Sequence, residues 1–115
     1  MPNDCWNHLS IKGTADQIDQ IVACGFAEFP QWAYAVDSRG PEALVCRVWS
    51  RERPCLDFMN QLRNNHAGLW IKNTWSEEGG MAGIIVRSEE TNIEVEWNEG
   101  SNEEWYHRLD NRRFQ

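Results

Sequence analysis

No stretch of this 115-residue chain approaches the ~18 consecutive apolar residues that a membrane-spanning helix needs. The opening Met1-Pro2-Asn3-Asp4 has neither the basic start nor the apolar run of a secretory signal, which makes the cytoplasm the expected location. Bases are scarce: 11 Lys and Arg face 18 Asp and Glu, a formal net charge of −7 that weighs against attraction to nucleic-acid backbone. The four cysteines Cys5, Cys24, Cys46 and Cys55 form no C-x-x-C pair, so in a reducing compartment they read as free, buried thiols. Cys5 and His8 have a ligand-like spacing, but on a strand three positions apart means opposite faces. Neither a metal nor a cofactor is expected.

Enzyme signatures are missing too. There is no G-x-S-x-G, no phosphate-cradling glycine loop and no H-E-x-x-H. His107 follows Glu103 by one helical turn, a spacing that suits a solvated ion pair, and Asp57 and His66 are too far apart to make a helical dyad. No nucleophile can be matched with a base and an orienting partner, so the expectation is a protein without catalytic activity. Repeats, linkers and low-complexity segments are likewise lacking, and residues 1–115 read as one domain.

What is present is a set of strands arranged around Leu69 to Val86. The apolar runs Leu69–Trp75 and Met81–Val86 flank Glu77-Glu78-Gly79-Gly80, whose glycines supply the positive φ angles of a hairpin. Upstream, Cys5–Lys12 alternates as a strand, with Cys5, Leu9 and Ile11 on one side and Trp6, His8, Ser10 and Lys12 on the other. Thr14-Ala15-Asp16-Gln17 is a capping box opening a helix through Ile18, Ile21 and Val22, with Gly25 as its stop. Gln31–Val36 and Ala43–Ser50 predict two strands around the turn Asp37-Ser38-Arg39-Gly40-Pro41. Pro54 starts a second helix with the stripe Cys55, Phe58, Met59 and Leu62, closed by Asn65-His66-Ala67-Gly68. Asn92–Asn98 alternates again, and a second capping box, Ser101-Asn102-Glu103-Glu104, opens a short terminal helix carrying Trp105 and Leu109.

This βαββαβ order predicts an α+β fold of the ferredoxin-like kind: an antiparallel sheet with two helices on one face, extended by a C-terminal hairpin strand pair and the terminal helix. The opening Met1-Pro2-Asn3-Asp4-Cys5-Trp6-Asn7-His8-Leu9-Ser10-Ile11-Lys12-Gly13 resembles the M-P-N-W-C-x-N-x-L-x-I-x-G start of the YubB-like proteins of phages and plasmids. Asp4 departs from that pattern; Cys5, Asn7, Leu9, Ile11 and Gly13 keep it. Trp75-Ser76-Glu77-Glu78-Gly79 followed by Gly83 is similar to the family's aromatic-x-E-x-G…x-G signature. The resemblance implies a ferredoxin-like fold and an origin on a mobile element, and it carries over no catalytic residue.

Two surfaces are candidates for contact. Strand parity gathers Trp6, His8, Lys12, Val45, Arg47, Trp49, Trp70 and Lys72 on the sheet face away from the helices. Rings interleaved with cations suit nucleobase stacking, and they equally suit a protein interface; a terminal helix with Trp105, Leu109 and Phe114 would instead bury them. The second is acidic. Between Glu77 and Glu104 nine acids stand against Arg87, a net −8, while the rest of the chain sums to +1. Glu77, Glu78, Glu89, Glu90, Glu94 and Glu96 are expected on turns and on the outward face of the last strand. There they keep neighbouring chains from pairing with an open edge, or dock a basic surface.

The function expected from these features is that of a non-catalytic phage or plasmid protein that docks on a host protein with a basic surface. It would inhibit a nucleic-acid-handling or defence complex, as an anti-CRISPR protein does. The alternatives are an RNA or single-strand binder using the open sheet, and a homodimer packed through that sheet.

Overall fold

The computed structural model describes residues 4–98. The strands are β1 (Asp4–Lys12), β2 (Tyr34–Arg39), β3 (Ala43–Arg51), β4 (Trp70–Glu77), β5 (Met81–Arg87) and β6 (Asn92–Asn98). Two helices, α1 (Ala15–Gln20) and α2 (Leu56–Asn65), complete an α+β fold. The six strands form one antiparallel sheet in the order β2-β3-β1-β4-β5-β6.

Alternation in β1, β3 and β4 sends Cys5, Leu9 and Ile11, then Leu44, Cys46 and Val48, then Ile71 and Trp75 into one core with the helices. α1 starts as its capping box dictates. The Gln17 amide donates to Thr14 Oγ1 at 3.2 Å, and the Thr14 amide donates to Gln17 Oε1 at 2.9 Å. It departs from a plain helix at its end, where Ile21–Gly25 widens into a π-type turn. Gln17 also donates to the carbonyl of Ala67, and Arg63 in the last turn of α2 donates to the carbonyl of Ser88. Both helices are thereby tied to the loops flanking β4 and β5.

Asn7 lies among these apolar groups, 1% exposed, on the inner face of the central strand. Its Nδ2 donates to the Val48 carbonyl (3.0 Å) and to Ser50 Oγ (2.8 Å). Its Oδ1 accepts from the Cys55 amide at 3.0 Å and from Asn73 Nδ2 at 2.9 Å. One carboxamide thus joins β1, β3, β4 and the start of α2, satisfying an orphan N–H at the helix entrance.

Three expectations are corrected. Gln31–Ala33 is a 3-10 turn after Pro30, and β2 begins at Tyr34 and runs through Asp37–Arg39 with a bulge between Val36 and Ser38. Phe26 stacked on Tyr34 at 4.7 Å, together with Phe29 and Phe58, anchors that entry. In the β4–β5 turn Gly80 takes φ +96 while Gly79 does not go positive, and the Gly80 amide bonds back to the Glu77 carbonyl. A three-residue loop closing on one left-handed glycine needs only that one. Cys24 is exposed, on the π-type turn, whereas Cys5, Cys46 and Cys55 are buried. The terminal helix with Trp105, Leu109 and Phe114, the Glu103–His107 pair, Glu99 and the first three residues of the opening motif lie outside the described residues.

Candidate functional site

Strand register defines the helix-free face rung by rung. One rung runs Trp49–Trp6–Ser76–Ala82–Trp97 across β3, β1, β4, β5 and β6. The next runs Arg47–His8–Thr74–Ile84–Val95, and the third Val45–Ser10–Lys72–Val86–Ile93. A fourth joins Ala43, Lys12 and Trp70. All the residues expected on this face, Trp6, Arg47, Trp49, Trp70 and Lys72 among them, lie on it together.

The face has two halves. On β3, β1 and β4 indoles sit beside cations: Lys12 Nζ lies 5.2 Å from the Trp70 ring and the Arg51 guanidinium 5.9 Å from Trp49. Trp49 Nε1 donates to Asp4 Oδ1 at 2.9 Å, and Arg47 donates through Nε to both oxygens of Asp37 (3.0 and 2.9 Å). That ion pair raises the Arg47 pKa further above its ordinary value. Trp32, in the turn before β2, brings its ring to 4.8 Å from that of Trp49. The two indoles, with Trp6, His8, Ala35 and Arg47, line a groove of about 240 Å³. On β5 and β6 the face is aliphatic, made of Ile84, Val86, Ile93 and Val95.

Large apolar side chains remain in solvent here: Trp32 is 70% exposed, Val95 54%, Trp6 and Ile93 48% and Val45 41%. Single exposed apolar residues are ordinary; here they share one face, in two groups, Trp6, Trp32 and Val45 by β1 to β3 and Ile93 and Val95 on β6.

The acidic residues occupy a different side. Glu94 and Glu96 are exposed but project from the helix-bearing side of β6, opposite Ile85 and Gly83. Two helices of about 10 Å width cover some four strands spaced ~4.8 Å apart, so β6 lies beyond them and neither of its faces is inside. Arg87 pairs with Glu94 at 3.0 Å and donates to the Ile93 carbonyl. Glu89 and Glu90 occupy the β5–β6 turn, with Glu77 and Glu78 at the β4–β5 turn. Glu89 and Glu90 adjoin the β6 edge that carries Glu94 and Glu96, whereas Glu77 pairs with Cys5 and Glu78 bonds to the Asp4 carbonyl, both beside β1.

Chemistry elsewhere is sparse. Cys5 and His8 point to opposite faces, and among the described residues no group of three His, Cys, Asp or Glu is placed to hold a metal. Burial pushes the Cys46 and Cys55 thiols up to about 12 and Cys5 to about 11, so these sulfurs are neutral packing groups. A wide groove of about 1200 Å³ is lined by residues of the Cys24–Phe29 segment and of α2 and includes both Asp57 and His66. Asp57 sits in the first turn of α2 and His66 just past its last residue, so they do not converge.

Sequence reasoning missed Trp32, Arg51, Ile93 and Val95 as members of this face. Trp32 was hidden because its segment reads as a strand rather than a turn. Ile93 and Val95 were hidden because an apolar alternation is ordinarily taken to point inward. Comparison with protein-family models, curated proteins and solved structures found no match to this chain.

Proposed function

We propose that the protein is a non-catalytic binding protein of mobile-element origin that docks on a host protein with a basic surface and thereby occludes a nucleic-acid-handling or defence complex. Within this reading β1 to β4 with α1 and α2 form a ferredoxin-like unit extended by β5 and β6, and the protein works in the host cytoplasm. The order β2-β3-β1-β4 supports the fold assignment. The inward placement of Cys5, Asn7, Leu9 and Ile11 supports the family resemblance, as does the packing of Trp75 on Gly83.

The observation that carries the docking reading is the exposure of Trp6, Trp32, Val45, Ile93 and Val95 on a single face. Tryptophan, arginine and aliphatic groups together compose the centre of protein interfaces. The carboxylates of Glu77, Glu78, Glu89, Glu90, Glu94 and Glu96 steer such a contact towards a basic partner.

Affinity capture from host lysate with the full chain tests this reading. A partner recovered by the wild type is expected to be lost with Ile93→Ser/Val95→Ser and weakened, less so at raised salt, with Glu94→Lys/Glu96→Lys. Recovery of the same proteins by all three baits would remove its support. The same face could serve a second copy of the chain, and the exposed Ile93 and Val95 favour that alternative. A solution mass that rises with concentration and reverts in Val95→Asp would assign the face to a homodimer.

A further inference from the structure

The whole-chain charge conceals a division between surfaces. On the helix-free face the bases Lys12, Arg47, Arg51 and Lys72 meet two acids, Asp4 and Asp37, for a local +2. The other described residues hold four bases and twelve acids, a net −8. The fold thus gathers half of the described bases beside the indoles and sends nearly all the carboxylates elsewhere. Arg47 lines the tryptophan groove, which includes no carboxylate residue.

We infer that the β1–β3 end of this face binds single-stranded nucleic acid, with an unstacked base in the groove between Trp6, Trp32 and Trp49 and the backbone phosphates on Arg47, Arg51 and the more distant Lys12 and Lys72. The inference rests on the reading of this face as a contact surface and adds a ligand to it. Three features support it. Trp32 and Trp6 present largely exposed rings on which any base can stack. Arg51 and Lys12 already lie against indoles, which places a cation beside a stacking platform at each end of the face. From Trp6 to Lys12 along β1 is roughly 20 Å at ~3.3 Å per residue, the span of a few nucleotides. Attraction by the local net +2 explains how an acidic protein holds a polyanion: screening beyond ~8–10 Å mutes the distant carboxylates.

The test is fluorescence anisotropy of a labelled oligothymidylate 12-mer titrated with the full chain at several salt concentrations. The expected result is binding whose log affinity falls against log salt with a slope of about −2, as about 0.7 per neutralised phosphate gives for Lys12, Arg51 and Lys72, Arg47 being already paired with Asp37. Trp32→Ala and Trp6→Ala should each weaken it roughly 5- to 150-fold, the range for losing one stacked base. Trp32→Phe should restore most of the binding, and Ile93→Ser on the aliphatic half should leave it within about twofold. Both indoles are largely outside the core, so an unchanged melting curve verifies that each variant folds. No binding at low salt, or binding indifferent to both tryptophan substitutions, overturns the inference. If the oligonucleotide fails to bind while Trp32→Ala loses a captured protein, the groove is a protein anchor. Nucleic-acid binding then falls and the contact surface stands.

Discussion

Replacing Asn7 by alanine probes the joint on which the sheet is assembled. The substitution removes the acceptor for the Cys55 amide and for Asn73 Nδ2, and the donor to Val48 and Ser50. Water does not reach this site, with Asn7 1% and Asn73 0% exposed. Each stranded buried donor costs roughly 1–3 kcal/mol, so two together cost roughly 2–6 kcal/mol. Against a typical domain stability of about 5–15 kcal/mol that is a large fraction. In urea, a loss of about 4 kcal/mol at a slope of about 1.5 kcal/mol per molar moves the unfolding midpoint down by about 2.7 M. Asn73→Leu supplies the contrast. Among the described residues the Oδ1 atom of Asn73 has no hydrogen-bond partner, and Asn7 Oδ1 keeps the Cys55 amide when Asn73 is replaced. Its cost should stay within about 1 kcal/mol. Equal costs for the two variants, or a cost below about 1 kcal/mol for Asn7→Ala, would refute the reasoning.

Gly83→Ala should destabilise by roughly 1–3 kcal/mol or more in the same urea assay, because a Cβ there would lie 2.5 Å from the Val95 carbonyl and 2.8 Å from the Trp75 ring. A thiol reagent should modify one of the four cysteines in the native protein, Cys24, and the other three only on unfolding. The buried thiols also predict alkaline sensitivity. Because folding raises Cys46 and Cys55 from 9.0 to about 12, their contribution is complete below pH 9 and is lost as pH climbs towards 12, at about 1.4 kcal/mol per pH unit for each thiol. Melting temperatures recorded from pH 8 to 11 check this, and Cys46→Ala should flatten the fall. Glu52 holds φ at +65 in the turn between β3 and α2, so Glu52→Gly should leave stability unchanged or raise it by up to about 1 kcal/mol, read by thermal melting.

Strands were legible in the sequence wherever one face is buried and the other wet. Leu44, Cys46 and Val48 against Val45, Arg47 and Trp49 is an alternation that period two makes unambiguous. The first helix start was equally plain, because Thr14 and Gln17 satisfy each other's backbone. The pattern could not say that neither side of β6 is inside, since Ile93, Val95 and Trp97 alternate with carboxylates on a strand the helices do not reach. It also could not single out Asn7 and Asn73, polar residues whose burial depends on partners more than 40 positions away for Asn7 and 66 positions away between the pair. Net charge, a single sum, carried no sign of the division that leaves cations with the indoles and most carboxylates off that face.

The central claim, that the helix-free sheet face is where this protein meets its partner, is tested most directly by carbene footprinting of the full chain before and after addition of the protein it captures. The account predicts that labelling of Trp6, Trp32, Ile93 and Val95 falls on complex formation while labelling of Asp57 and Gln61 on α2 is unchanged. Protection confined to α2, with Ile93 and Val95 labelled as strongly as in the free protein, would contradict it.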